Sequence, residues 1–439
     1  MKVKTLFILI ISLINSYIFY QINYIEKIKE YMDEGFHLRQ TIKFYLKHYN
    51  KWNSKLTTFP GTFIINCILL RIINLFGINL KKFQYLIFCR LTTLIISFIN
   101  ILILFLFKNG NMFFILLISF LPIYYFYNFL YYTDTYSILF LIIYYFLMLK
   151  NIKNDILILL TSCLAVLMRQ NNIIWINLFP LSDVIKMLKN LKFKELLNDS
   201  FNIMKKYITI LIVDICFIIF FIKNGYSVVL GDKSHHEICC HLAQINHLLI
   251  FTLFFFPILN LQFFKNINKT LKNKNDLVKF VLIFFLLNTI LFIFNNYSYT
   301  HQFINSDNRH YVFYYFRKIY NIIQLRYAIL IYCALIYSII IINNLNLFDN
   351  EKIISFIICS FLCLVPSKLI ELRYFQPVYI IFLILLNEYR DKYKNLYDIF
   401  FNLGNILQHI LINIVTIYIF IHKPFINYFN NNTIGRFMY

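Results

Sequence analysis

The sequence predicts an all-α polytopic membrane protein, and three observations carry that prediction. Of its 439 residues 60% are hydrophobic and only 14% charged, whereas a soluble domain carries about 25% charged residues. Mean hydropathy is +0.66. The apolar residues also come in continuous runs, without the alternating pattern of an outer-membrane barrel. In lipid such a run satisfies its backbone as a helix whatever its propensity in water, so the 50 Phe and 34 Tyr do not argue for strands. At about 20 residues a span the apolar fraction sets an upper bound of about 13 spans, and an enzyme on a single anchor is excluded.

The run from Leu6 to Tyr20 follows Lys2 and Lys4; with no small-residue cleavage site behind it, it reads as a first span and not as a signal peptide. Further spans are expected at 62–79, 84–107, 112–130, 136–149, 156–179, 207–224, 247–264, 277–294, 325–343, 353–368, 374–388 and 404–421, about 11–13 in all. No Gly- or Pro-rich linker and no internal repeat interrupts them, so residues 1–439 read as one multispanning domain.

The net charge of +22 is scattered among apolar stretches, which speaks against a nucleic-acid face. It fits cytosolic loops, anionic lipid headgroups or phosphate recognition. Lysines at 186, 189, 192, 194, 205 and 206, and at 265, 269, 272 and 274, place 181–206 and 265–274 in the cytosol. Parity then puts 23–61, 225–246, 295–324 and 369–373 on the opposite, lumenal face, although 23–61 itself carries seven Lys and Arg. The nine cysteines lie mostly in apolar runs, so no disulfide framework follows.

Polar groups are expensive in such a chain, so their clusters carry the signal. Tyr31-Met32-Asp33-Glu34-Gly35-Phe36-His37 follows the first span, with Trp52 to Gly61 behind it. Adjacent carboxylates diverge, so one can act as general base while the other binds a partner; an acidic helix start in a solvated loop is the plain alternative. Gly231 to His241, continuing to Gln244 and His247, holds His, Cys and Glu, the usual zinc ligands. The spacing His236 to His241 is five, whereas a zincin needs four, so no metal site is expected. A polar loop offering Lys233 and His236 to a phosphate fits better. His301 to Tyr311 contains Asp307, Asn308, Arg309 and His310 framed by aromatics. That set suits a sugar or phosphate, with an interfacial aromatic belt as the alternative. Glu371 and Arg373 form an expected ion pair at the mouth of a span. Arg169-Gln170-Asn171-Asn172 lies at the centre of 156–179, where a buried Arg needs a carboxylate or an anionic headgroup.

Taken in order, these blocks resemble the α-1,2-glucosyltransferases that add the terminal glucose to dolichol-linked oligosaccharide in the endoplasmic reticulum. The matching pieces are Tyr31 to His37, Trp52 to Gly61, Arg169 to Trp175, Gly231 to Glu237 with His241 and Gln244, Asp307 to Tyr311, and Glu371 to Phe375. Asn53-Ser54 stand where the family has Asp-Pro, and Leu372 replaces a Pro. The resemblance implies a multi-pass GT-C fold in the endoplasmic reticulum membrane with lumenal catalytic loops. It implies dolichyl-phosphate glucose as donor, a diglucosylated dolichol-linked oligosaccharide as acceptor, membrane lipid around the chain, and no nucleic-acid partner. A β-linked donor sugar and an α-linked product make the transfer a single inverting displacement. Asp33 is the expected base, with Glu34 second. Lys233, His236, Arg309, His310 and Arg373 are candidates for the phosphate, and His37, Arg169, Gln170, Asp307, Asn308 and Glu371 for the substrate. No cofactor and no obligatory metal are implied. A dolichyl-phosphate-mannose-dependent mannosyltransferase of the same superfamily, a transporter and, more distantly, a metalloprotease are the rival readings.

Overall fold

The computed structural model describes residues 2–78, 80–107, 111–189, 196–301, 304, 308–427 and 433–439. The chain folds into two compact units, Met1–Met112 with Tyr124–Glu237, and Phe113–Ile123 with Ile238–Tyr439.

The first unit is built on helices Lys2–Tyr20, Glu34–Tyr45, Gly61–Leu75, Lys82–Leu104, Asp134–Leu149, Asp155–Met168 and Ile208–Lys223. Its core joins Leu38, Phe44, Phe63, Cys67, Cys89, Tyr131, Tyr136 and Met168. A polar knot sits inside it: the Tyr136 hydroxyl meets Asn66 Nδ2 and Thr92 Oγ1, each at 2.9 Å. Buried hydroxyls and amides need such partners, because a polar group removed from water without one costs several kcal/mol.

Helices Ala243–Phe255, Ile258–Lys272, Lys274–Asn296, Ile323–Asn343, Glu351–Leu364, Gln376–Glu388 and Leu403–His422 form the second unit. An antiparallel hairpin, Phe425–Asn427 with Thr433–Gly435, closes it. The hairpin is the one sheet among the described residues. Leu282, Phe285 and Leu286 on the helix Lys274–Asn296 are 60–65% exposed, as apolar side chains facing lipid should be.

Every expected span coincides with helix, and the all-α polytopic fold is what the structure shows. Among the described residues five helices are long and apolar enough to cross a membrane, or up to seven if each of two bent pairs counts as one. The remaining candidates are shorter helices, such as Gly61–Leu75, Asp134–Leu149 and Asp155–Met168, or broken ones. The stretch 247–264 bends by 89° between Phe255 and Ile258, where Pro257 cannot continue the hydrogen-bond ladder. The expected continuous span 156–179 is also broken: its helix ends at Met168, Arg169 is extended at φ −146° and ψ 127°, and a short helix restarts at Asn172.

Candidate functional site

Glu34 and Asp33 are neighbours with opposite environments. Glu34 has no exposed surface, and its carboxylate accepts four hydrogen bonds. Oε1 takes Arg90 Nε at 2.8 Å and the Tyr131 N–H at 2.6 Å, and Oε2 takes Arg90 Nη2 at 2.6 Å and the Tyr31 N–H at 3.0 Å. Arg90 commits its remaining N–H groups to Asn23 Oδ1 and the carbonyls of Ile28 and Lys29, so all five donors of its fork are used. A carboxylate so bound ties the turn at Tyr31, the helix carrying Arg90 and the Tyr131 backbone together. Asp33, partly exposed, precedes the helix Glu34–Tyr45 without capping it by its side chain, and its N–H donates to the Tyr132 hydroxyl at 3.2 Å. The turn carrying both residues requires a left-handed Met32, φ 54°.

His37 lies one turn along that helix, buried beside Phe63, Tyr131 and Tyr132. Its Nδ1 meets the Tyr131 carbonyl at 2.9 Å; a carbonyl only accepts, so Nδ1 carries the proton. Tyr131 thus ties the acidic motif twice through its backbone, and once more through its hydroxyl, 2.7 Å from Thr41 Oγ1.

A second node gathers the other motifs of this unit. The Thr57 carbonyl accepts the Leu230 N–H at 3.2 Å and also the Gln170 side-chain amide. Beside it the Asp232 N–H donates to the Ser54 carbonyl at 2.8 Å. Ser54 therefore contributes a main-chain oxygen, which a Pro at that position would equally supply. Gly231 is required by this closeness: a Cβ there would stand 2.4 Å from the Ser54 oxygen and 2.6 Å from that of Leu56. Gly61 is packed as tightly, with 2.6 Å to the Leu167 oxygen. Arg169, at the helix break, finds the carboxylate it needed in Asp134, which is 1% exposed and leaves Oδ2 buried without a partner. Lys233 is exposed and donates to the Asn224 carbonyl at 2.6 Å. His236, partly exposed, ends the short helical turn Lys233–His236.

In the second unit Glu371 and Arg373 form the expected ion pair. Asn308, Arg309 and His310 are partly buried just before the helix Tyr311–Tyr315; Asp307 lies outside the described residues. Residues 239–244 dock on 365–369: the His241 N–H reaches the Val365 carbonyl at 3.0 Å, and Gln244 Nε2 those of Ser367 and Leu369 at 3.1 and 2.7 Å. Burial pushes the His241 imidazole below its ordinary value, so it is neutral at physiological pH. Among the described residues no three His, Cys, Asp or Glu side chains gather as a metal-binding group.

The DIE2/ALG10 family profile matches residues 27–384, which contain every motif just described. The chain belongs to the DIE2/ALG10 family. Three relatives share the name Dol-P-Glc:Glc(2)Man(9)GlcNAc(2)-PP-Dol alpha-1,2-glucosyltransferase. The human protein is 28% identical over 93% of each chain, the Drosophila melanogaster protein 28% over 90% of each, and the Candida albicans protein 29% over 90% of each. No solved structure matches.

Within this DIE2/ALG10 chain the structure adds Arg90, Asp134, Tyr131 and Tyr132 to the residues singled out from sequence. Arg90 was legible in principle, because an Arg inside a span implies a buried partner. Asp134 was equally so, as the only carboxylate in the gap between the runs 112–130 and 136–149. The two tyrosines act mainly through their backbone or as one of many hydroxyls, and nothing in their residue type marks them.

Proposed function

We propose that the chain transfers glucose from dolichyl-phosphate glucose to the 2-hydroxyl of the terminal glucose on a diglucosylated dolichol-linked oligosaccharide. The work is done in the endoplasmic reticulum membrane, with 23–61, 225–246, 295–324 and 369–373 facing the lumen. The relatives' common name supports the donor and acceptor and gives no support to dolichyl-phosphate mannose. The observation that carries the mechanism is the division between Glu34, fully bound by Arg90 and two backbone amides, and the partly exposed Asp33 beside it.

Asp33 is the base and Glu34 its anchor. The acceptor 2-hydroxyl oxygen forms the new bond to glucose C1 from the face opposite the phosphate, its proton passes to the Asp33 carboxylate, and the C1–O bond breaks with its electron pair going to dolichyl phosphate. A sugar hydroxyl is a weak nucleophile, so the base is needed as the bond forms. The leaving group is a phosphate ester that departs without a proton; what helps it is positive charge where the negative charge grows. Lys233, His236, Arg309, His310 and Arg373 are the candidates for that charge, and an arginine fork suits two phosphate oxygens at once. His37, Arg169, Gln170, Asn308, Glu371 and Asp307 are proposed to orient the sugars. This chemistry calls for neither a nucleotide nor a metal.

The test is Asp33→Asn in the purified full-length protein, assayed with dolichyl-phosphate glucose and a diglucosylated lipid-linked acceptor. Transfer is expected to fall by about 10²–10⁴-fold while the melting temperature is kept. Full activity in that variant removes the base assignment. Failure of the wild-type protein to use this donor, with activity on dolichyl-phosphate mannose, removes the reaction itself.

A further inference from the structure

Residues 436–439 lie outside the stretch that the family profile covers, yet Arg436, Met438 and Tyr439 are buried, Met438 at 1% exposed and Tyr439 at 6%. Five contacts explain why. The Met438 N–H donates to the Arg309 carbonyl at 2.9 Å, and the Tyr311 N–H to the Met438 carbonyl at 3.3 Å. Together they form a parallel bridge about His310. His310 Nδ1 meets the main-chain oxygen of Tyr439 at 2.8 Å, which fixes the proton on that nitrogen, since the oxygen only accepts. The Tyr311 ring lies 5.5 Å from that of Tyr439 and 6.2 Å from that of Phe437.

The segment is held at its other end by the helix Leu403–His422. Arg436 Nη1 donates to the carbonyls of Phe420 and Ile421, at 2.7 and 2.6 Å. These belong to the last turn, where carbonyls have no partner within the helix and where a cation meets the negative end of the helix dipole. The Tyr439 hydroxyl adds Thr416 Oγ1 of the same helix at 3.0 Å. A span is thereby tied to the backbone of the Arg309-His310-Tyr311 motif on both sides of His310.

We propose that residues 436–439 are a positioning strap for Arg309 and His310: they set the direction of a guanidinium and an imidazole that receive the donor phosphate, and take no part in the reaction themselves. This rests on the phosphate role proposed above for those two side chains. A phosphate-binding fork is useful only if its carrier is held still, because a displacement of about 1 Å costs on the order of 10²-fold in rate. The short turn before Tyr311 has no capping side chain of its own, so the strap supplies the missing rigidity.

The experiment compares Met438→Pro, which deletes the N–H given to Arg309, with Met438→Leu, which keeps it, and with Arg436→Met, which releases the far anchor. Two readouts are taken on the full-length protein: amide exchange at Tyr311, and steady-state transfer with donor and acceptor varied separately. M438P and R436M are expected to speed exchange at Tyr311 and to lower kcat/KM for dolichyl-phosphate glucose, each by about tenfold or more, with the acceptor KM unchanged. M438L should match the wild type in both. Unchanged exchange overturns the strap. Faster exchange with unaltered donor kinetics, or an equal loss toward donor and acceptor, reduces it to a fold-stabilising contact and overturns the positioning role. A wild-type protein inactive with this donor refutes the proposed function, while the exchange measurement still decides whether the strap holds the motif.

Discussion

Removing Arg90 separates the anchoring contacts of Glu34 from the chemistry proposed for Asp33. In Arg90→Met the side-chain volume is nearly kept, but the fully buried Glu34 carboxylate retains only the N–H groups of Tyr31 and Tyr131. Asn23 Oδ1 and the carbonyls of Ile28 and Lys29 lose their donor as well. Breaking one side of a buried ion pair costs about 3–5 kcal/mol, because the remaining charge is left uncompensated. For a unit of this size each kcal/mol lowers Tm by about 2–4 °C, so a fall of about 6–20 °C is expected. Thermal unfolding of the detergent-purified protein measures it. Replacing both partners, Glu34→Met with Arg90→Met, removes the stranded charge and should restore part of the loss, with a coupling of about 1–3 kcal/mol. Activity should behave differently. The Tyr31–Glu34 turn is released in both variants, so transfer falls by about tenfold or more in the single and in the double variant alike. A single variant melting within about 2 °C of the wild type refutes the anchoring argument. A double variant that regains full transfer shows that the turn does not depend on the pair.

Gly231→Ala should lower transfer strongly with a smaller effect on Tm, since its Cβ would stand 2.4 Å from the Ser54 oxygen and push the 225–246 loop from the Trp52–Gly61 loop; wild-type kinetics in that variant would mean the two loops work independently. The proposed orientation gives a second expectation: the sequon at Asn296 carries a glycan, whereas those at Asn198 and Asn268, in the cytosolic stretches, do not. Glycosidase-shift mapping of single-sequon variants reads this directly, and modification at Asn198 or Asn268 inverts the topology.

The fold class was legible because lipid leaves a continuous apolar run no conformation but a helix, and each expected span does coincide with helix. Where helices stop inside a run was less so. Pro257 is an explicit breaker, but the break at Arg169 comes from a polar cluster whose partners, Asp134 and the Thr57 carbonyl, lie 35 and 113 residues away in sequence. Hydropathy records the cost of that arginine and not the contact that removes it. The acidic motif shows the same limit. Two adjacent carboxylates do not say from sequence which of them is bound, and here that is decided by Arg90, 56 residues further on. The bridge between His310 and Met438 had no signal at all: it is made by backbone groups, which every residue but Pro possesses.

That distinction between backbone and side-chain contacts also orders the motifs. Thr57, Ser54 and Tyr131 serve the site through main-chain atoms. For Thr57 and Ser54 the contact depends only on the backbone path, which a Pro at position 54 would keep, whereas the Tyr131 side chain is committed as well, buried in the core with its hydroxyl on Thr41. Gly231 is the converse, a position whose identity matters because it has no side chain. Glu34 and Arg90 hold the turn by charge, and neither can change without the other. Asp33, proposed as the base, is partly exposed beside them. An unpaired buried polar group costs several kcal/mol, so the carboxylate proposed as base can stay accessible only where the one beside it is already fully partnered, as Glu34 is by Arg90 and two backbone amides.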